Sequence, residues 1–229
     1  MICSGRQTVI GKELTPDDLI VVSDIVTELA DRQPALLIIS TDGFHLDPLK
    51  KDSVITDLKF ERRSDVDFSY RERLGKKNDL YIVGGGHCSL ALSELAAKMD
   101  FFIRIFDDRP DLNTVEKNRF ADEINIIDNY AVIGEHIAPG ERSYVVIMTV
   151  GYASDEVVIR NLLEKDLKYL GVLGSKAKMR TLLDKLNRDG YSAERISRIH
   201  APIGLSINSR TPEEIAVSIM AEIISIKNR

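Results

Sequence analysis

Residues 79–91 read Asp79-Leu-Tyr-Ile-Val-Gly84-Gly85-Gly86-His87-Cys88-Ser89-Leu-Ala91. A short apolar run, a glycine turn and a helix-forming segment follow one another, which predicts a strand, a tight turn and a helix. Gly84 suits the turn, Gly86 the close approach of a phosphate to backbone, and Ser89 the third small position of a G-x-G-x-x-G/A pattern. Backbone N–H groups at a helix start, aided by the helix dipole, favour an anion there. The next apolar run, FFIRIF, ends at Asp107, 21 residues beyond Gly86. An acid at that spacing binds the ribose hydroxyls of a nucleotide. A glycine turn needed only for helix–sheet packing is the plainer reading of the same residues.

Outward from that stretch, strand-length apolar runs alternate with helix-length segments. Strands are expected at 79–83, 102–106, 124–127, 144–149 and 168–173, and helices at 89–99, 155–165, 176–188 and 212–227. Continuous apolar strands separated by amphipathic helices imply a parallel sheet covered on both faces. The last helix has Thr211 as N-cap, Pro212 at its first position and Glu214 completing a capping box. Residues 79–229 therefore read as a doubly wound α/β domain. Residues 1–60 read as a small α+β segment. Thr15-Pro16 opens a helix bearing Leu19, Val22, Ile25, Val26 and Leu29, and the run ALLIIS (35–40) follows as a strand. Residues 61–78 are charged and poor in apolar side chains, and are expected to form a linker with a solvated surface.

Other candidate site residues stand at the ends of the expected strands, where open α/β sheets bind their ligands. His87 and Cys88 sit at the helix start beside the glycines. His87 is read as a ligand contact; Cys88 is either a thiol of lowered pKa or a small residue facing the sheet. Gly174, Ser175 and Lys176 form either a second phosphate cradle or a strand-to-helix turn with a surface lysine. Thr149-Val150-Gly151-Tyr152 ends another strand, where Gly151 marks either a close ligand approach or a tight turn, and Asp155 is read as a helix N-cap before a catalytic acid. His200 and Arg210, in the loop ahead of the last helix, are read as functional. No C-x-x-C or H-E-x-x-H spacing accompanies them, so no protein-only metal site is expected. No Ser–His–Asp or paired-carboxylate set has a readable spacing either.

Composition narrows the function classes. The 229 residues carry 31 Lys and Arg against 36 Asp and Glu, a net charge of −5, which argues against a dedicated nucleic-acid binder. Two cysteines, Cys3 and Cys88, cannot build a disulfide framework. Apolar runs such as 144–150 fall far short of the roughly 20 residues that cross a bilayer. The opening MICSGRQ has no signal-peptide pattern, so a cytoplasmic protein with no membrane partner is expected.

Together GGGHCSLALSEL, IFDDRP (106–110), YLGVLGSKAKMRTLL and IHAPIGLSINSRTPEEIAVSIMAEI (199–223) resemble the XdhC/CoxI accessory proteins of molybdenum hydroxylases over about residues 70–227. The resemblance implies a Rossmann-like fold for the second domain and a role in maturing xanthine dehydrogenase and related enzymes. It implies binding of the molybdenum cofactor (molybdopterin), help in its sulfuration, and its delivery to a molybdenum hydroxylase apoenzyme. A sulfur donor is implied as a further partner, and a homodimer is allowed. The cofactor-binding set carried by the motifs is Gly84, Gly85, Gly86, His87, Cys88, Asp107, Arg109, Gly174, Ser175, Lys176, His200 and Arg210. An oxidoreductase or redox sensor using NAD(P) in the same crevice is the alternative, with Asp107 favouring NAD. The sequence departs from the family pattern in lacking a G-S-x-P-R-x-x-G-like stretch, so a shortened N-terminal domain is expected. It also lacks the His that commonly follows the fourth strand.

Overall fold

The computed structural model describes residues 8–31, 35–48, 58–64, 66–74, 78–99 and 101–228. Cys3 lies outside these residues. The chain divides into two compact units, 1–76 and 77–229.

In the first unit the Thr15 cap and Pro16 open a short 3-10 turn that continues into α1 (Leu19–Asp31). The expected strand β1 (Ala35–Ser40) forms and pairs with β2 (Gly43–Pro48) through the Thr41–Asp42 turn. β3 (Leu58–Arg62) and β4 (Phe68–Leu74) complete an antiparallel sheet of order β2-β1-β4-β3. The linker expected over 61–78 is therefore corrected: residues 68–74 are a strand held between β1 and β3. Their sequence FSYRERL alternates Phe68, Tyr70, Glu72 and Leu74 with Ser69, Arg71 and Arg73, a period of two that charge content obscured.

The second unit contains β5 (Asn78–Val83), α2 (His87–Ala97), β6 (Phe101–Asp107), α3 (Asn113–Glu116), β7 (Glu123–Ile126), α4 (Ile133–His136) and β8 (Gly140–Ile147). α5 (Tyr152–Leu162), β9 (Leu167–Val172), α6 (Lys176–Arg188), α7 (Ala193–Ser197), β10 (Ile199–His200) and α8 (Pro212–Lys227) follow. The strands are parallel in the order β10-β9-β8-β5-β6-β7. The chain thus builds outward from β5 to β7, returns to β8 on the other side of β5, and builds outward again. This is a Rossmann-like doubly wound sheet, with its switch point between β5 and β8.

Both faces of the sheet are covered, which explains the unbroken apolar runs. Leu92 and Ala96 of α2, with Ala216, Ile219, Met220 and Ile223 of α8, close over Leu80, Ile82 and Val146. On the opposite face Val158, Ile159 and Leu162 of α5 and Met179, Leu182 and Leu186 of α6 close over Val83, Val145 and Ile147. The capping box on α8 forms as expected: Glu214 N–H donates to Thr211 Oγ1, and the Glu214 carboxylate accepts from the Thr211 N–H. Among the described residues, no helix is long and apolar enough to cross a membrane.

Candidate functional site

At the switch point, α2 leaves β5 on one face of the sheet and α5 leaves β8 on the other, so the two loops part above the strand ends. The floor is tight. Gly84 has φ +109°, and a Cβ there would lie 2.4 Å from the Met148 carbonyl oxygen. The turn stays in register with its neighbours because Gly84 N–H donates to Phe106 O (2.7 Å) and Met148 N–H to Val83 O (2.8 Å). Gly85 is boxed in by the Val115 side chain, 2.4 Å from an added Cβ. Above this floor the space opens. A Cβ on Gly86, the N-cap of α2, or on Gly151, the N-cap of α5, would meet nothing within 4 Å. The sequence pointed to Gly86 for a phosphate and to Gly151 as either a close ligand approach or a tight turn; that both openings stand at the one switch point emerges only from the fold.

Asp107 sits where spacing placed it, at the end of β6, with its carboxylate engaged by the chain's own donors. Its side chain is fully buried and makes four hydrogen bonds. Gly85 N–H donates to Oδ2 (2.6 Å) and Arg109 N–H to Oδ1 (2.9 Å), while the Arg109 guanidinium holds both oxygens, through Nε (2.8 Å) and Nη2 (2.7 Å). Burial is the largest influence and opposes ionisation, but the Arg109 and Gly85 donors together outweigh it and hold the carboxyl below its ordinary range. In this structure Asp107 braces the glycine turn, and Arg109 is the solvent-facing half of the pair.

Cys88 is partly buried against the α2–α8 core. Burial, then the charge of Glu213, pushes its thiol up, so the lowered pKa expected at a helix start gives way to the packing role. Cys88 and Ala91 of α2 pack against the same cluster as Ile215 and Ala216 of α8, which brings the first turns of the two helices together. His87 is exposed at the first position of α2. Arg210 is exposed too, and its N–H donates to Glu214 Oε2 (2.6 Å), which supports the cap.

On the β9 side, Ser175 Oγ caps α6 by accepting from Lys178 N–H, and Lys176 is exposed. An added Cβ on Gly174 would lie 2.5 Å from Met179 Cε, the flexible end of a side chain of α6. The helix after β8 begins at Tyr152, so Asp155 is not its N-cap. Asp155 instead lies fully buried in the first turn, where its carboxylate accepts from Thr149 Oγ1 (2.5 Å) and N–H (3.2 Å) and pairs with Lys178 Nζ (2.7 Å). This cluster ties the β8 loop, α5 and α6 together. The chain carried only a weak signal for it, polar residues at the ends of separate strands.

His200 belongs to a second polar cluster, away from the glycine turn. Glu222 Oε2 accepts from Tyr169 OH (2.5 Å) and Gly204 N–H (2.8 Å), and Oε1 lies 3.2 Å from His200 Nδ1. The Tyr169 and His200 rings stand 4.7 Å apart. This cluster anchors the loop after β10 to α8. An open concavity of about 360 Å³, lined by Glu164, Asp189, Tyr191 and Arg195, is at the opposite end of α5 and α6 and so at the amino edge of the sheet. Among the described residues, no three His, Cys, Asp or Glu side chains gather as a metal site.

The XdhC Rossmann domain family model matches residues 80–223. Over 159 residues the chain is 31% identical to a protein of Bacillus subtilis (strain 168) described as a probable xanthine dehydrogenase subunit, covering 69% of this chain and 46% of that protein. Over 157 residues it is 31% identical to the uncharacterized protein YqeB of Escherichia coli (strain K12), covering 67% of this chain and 28% of that protein. A stretch of 59 residues is 37% identical to the molybdenum cofactor insertion chaperone PaoD of the same organism, covering 26% and 19% respectively. The crystal structure of a xanthine dehydrogenase from Bacillus halodurans superposes with a TM-score of 0.68 at 25% identity, over 90% of this chain and 63% of that one. The chain spans less than half the length of these curated relatives.

Proposed function

The chain belongs to the XdhC family through its Rossmann domain, and on that premise we propose that it serves the maturation of molybdenum enzymes of the xanthine dehydrogenase class. Its cargo is the molybdenum cofactor, held at the carboxyl edge of the parallel sheet and passed to an apoenzyme. The observation that carries this reading is that the family match spans both loops of the open switch-point crevice, Gly84–His87 and Thr149–Tyr152.

The crevice suits the phosphate end of such a cargo. The space beside Gly86 and Gly151 admits a phosphate, the backbone N–H groups that begin α2 and α5 are the donors, and both helix dipoles favour an anion. Lys178 is paired with the buried Asp155 carboxylate (2.7 Å), so on the α5 side the attraction for an anion rests on the backbone N–H groups. When bound, the cofactor supplies molybdenum and its dithiolene sulfurs for hydroxylation chemistry in the client enzyme. The chain's part is to bind, orient and shelter. Cys88 packs against the α2–α8 core, so the anchor the crevice offers is for the phosphate end. A sulfur donor acting on the held cofactor completes the proposed sequence.

Native mass spectrometry of the anaerobically purified chain tests the reading. The chain retains the cofactor and raises activity of a hydroxylase apoenzyme on reconstitution. Gly86→Asp places a carboxylate in the open space and weakens retention at least about tenfold, the equivalent of about 1.4 kcal/mol. A folded Gly86→Asp protein that keeps its cofactor sinks the site assignment. The NAD(P) oxidoreductase reading draws support from the strand order, but the acid it needs for the ribose is already occupied by Arg109.

A further inference from the structure

We propose that Arg109 decides which phosphorylated ligands the crevice accepts: by capping Asp107 it removes the acceptor for a ribose diol, so the site takes a phosphate ester whose body is not a nucleoside. The inference rests on the reading of the switch-point crevice as the ligand site and adds the ligand's chemical class.

Strand, glycine turn and acid at the end of the second strand together normally bind a nucleotide by two contacts, phosphate at the helix start and ribose hydroxyls on the acid. The first contact is available here, as the open space over Gly86 shows. The second is not. Both Asp107 oxygens are engaged by the Arg109 guanidinium, Gly85 N–H and Arg109 N–H fill remaining acceptor positions, and the side chain has no exposed surface. A ribose diol would have to displace a bidentate charge-assisted pair, the stronger kind of hydrogen bond. Asp108, the neighbouring acid, is held toward Tyr130, whose OH donates to its Oδ1 at 3.3 Å, and stands 4.0 Å from Arg109 Nε; at 40% exposure it is the remaining carboxylate at this strand end, so Asp108→Asn belongs in the test. The residue that spacing marks as ribose-binding is therefore present, correctly placed and closed.

Removing the guanidinium reopens it. In Arg109→Ala the backbone N–H groups of residues 85 and 109 still hold Asp107, while the outward lone pairs are freed for a diol. ADP-ribose is the probe, titrated calorimetrically against the full chain. The native chain binds it weakly, and Arg109→Ala binds it at least about tenfold more tightly, as expected for hydrogen bonds to a charged acceptor. Should circular dichroism show Arg109→Ala to be unfolded, Arg109→Gln, which keeps a single donor for Asp107, carries the test with a smaller gain in the same direction. A folded variant with no gain overturns the proposal. So does tight ADP-ribose binding by the native chain, most directly if Asp108→Asn abolishes it. Failure here is distinguishable from failure of the cofactor reading, which is scored on what the untreated native chain retains in mass spectrometry.

Discussion

Gly84 and Gly86 are two positions apart, and a methyl group added at each meets opposite surroundings. At Gly84 it enters the Met148 carbonyl at 2.4 Å from a backbone with φ +109°. Gly84→Ala is expected to cost about 2–3 kcal/mol, a fall in Tm of roughly 5–10 °C on thermal melting. At Gly86, φ is −72° and nothing lies within 4 Å. Loss of the preferred N-cap glycine and the entropy gained by alanine then oppose one another, leaving stability within about 0.5 kcal/mol. Gly86→Ala is thus the variant that alters the crevice without altering the fold. The glycine turn was legible because glycine alone tolerates the contacts at positions 84 and 85, and that requirement is written in consecutive letters. The brace on Asp107 was not. Spacing locates the carboxylate but says nothing of a guanidinium two residues on that folds back over it. Asp155 escaped for a related reason: a buried acid paired with a lysine 23 residues later looks in sequence like any surface carboxylate near a helix start.

Among the elements, the helices with strong end signals were the most readable. α6 and α8 begin and end at the expected residues because Ser175, Thr211 and Pro212 mark their starts. Thr211→Ala removes the hydroxyl that accepts Glu214 N–H and should cost about 1 kcal/mol in chemical denaturation. β10, two residues long, has no period to read, and its place in the sheet comes from pairing with β9. The loop that follows β10 depends on Glu222 of α8. Burial is the largest influence on that carboxyl and raises its pKa, but His200, Tyr169 and Gly204 together hold it below the ordinary 4.5. A depressed carboxyl contributes stability above its unfolded pKa and loses that contribution as pH falls through the folded one. Glu222→Gln should therefore cost about 1–2 kcal/mol near neutrality. Urea denaturation repeated at about pH 3 should show the gap from the native chain narrowing. A gap that stays constant with pH assigns the loss to packing instead.

For the molecule as a whole, the contrast lies in how each unit buries its apolar residues. In the unit of residues 77–229, both faces of the sheet carry continuous buried clusters. In the unit of residues 1–76, Ala35 and Leu36 are buried among the described residues, while Leu19, Ile20 and Val26 are 69%, 73% and 62% exposed. Stability follows apolar area removed from water, so the first unit melts before the second. Differential scanning calorimetry of the full chain is expected to resolve two transitions. Asp155→Ala assigns them. It strands Lys178 and leaves Thr149 N–H without its acceptor, both within the second unit. Because Lys178 remains 29% exposed and reaches water, the cost falls near the low end for a broken buried pair, about 3 kcal/mol. That loss lowers the upper transition by several degrees and leaves the lower one in place. A single transition that moves as a whole means that the two units melt together, so the small core of the first unit does not set its own melting point.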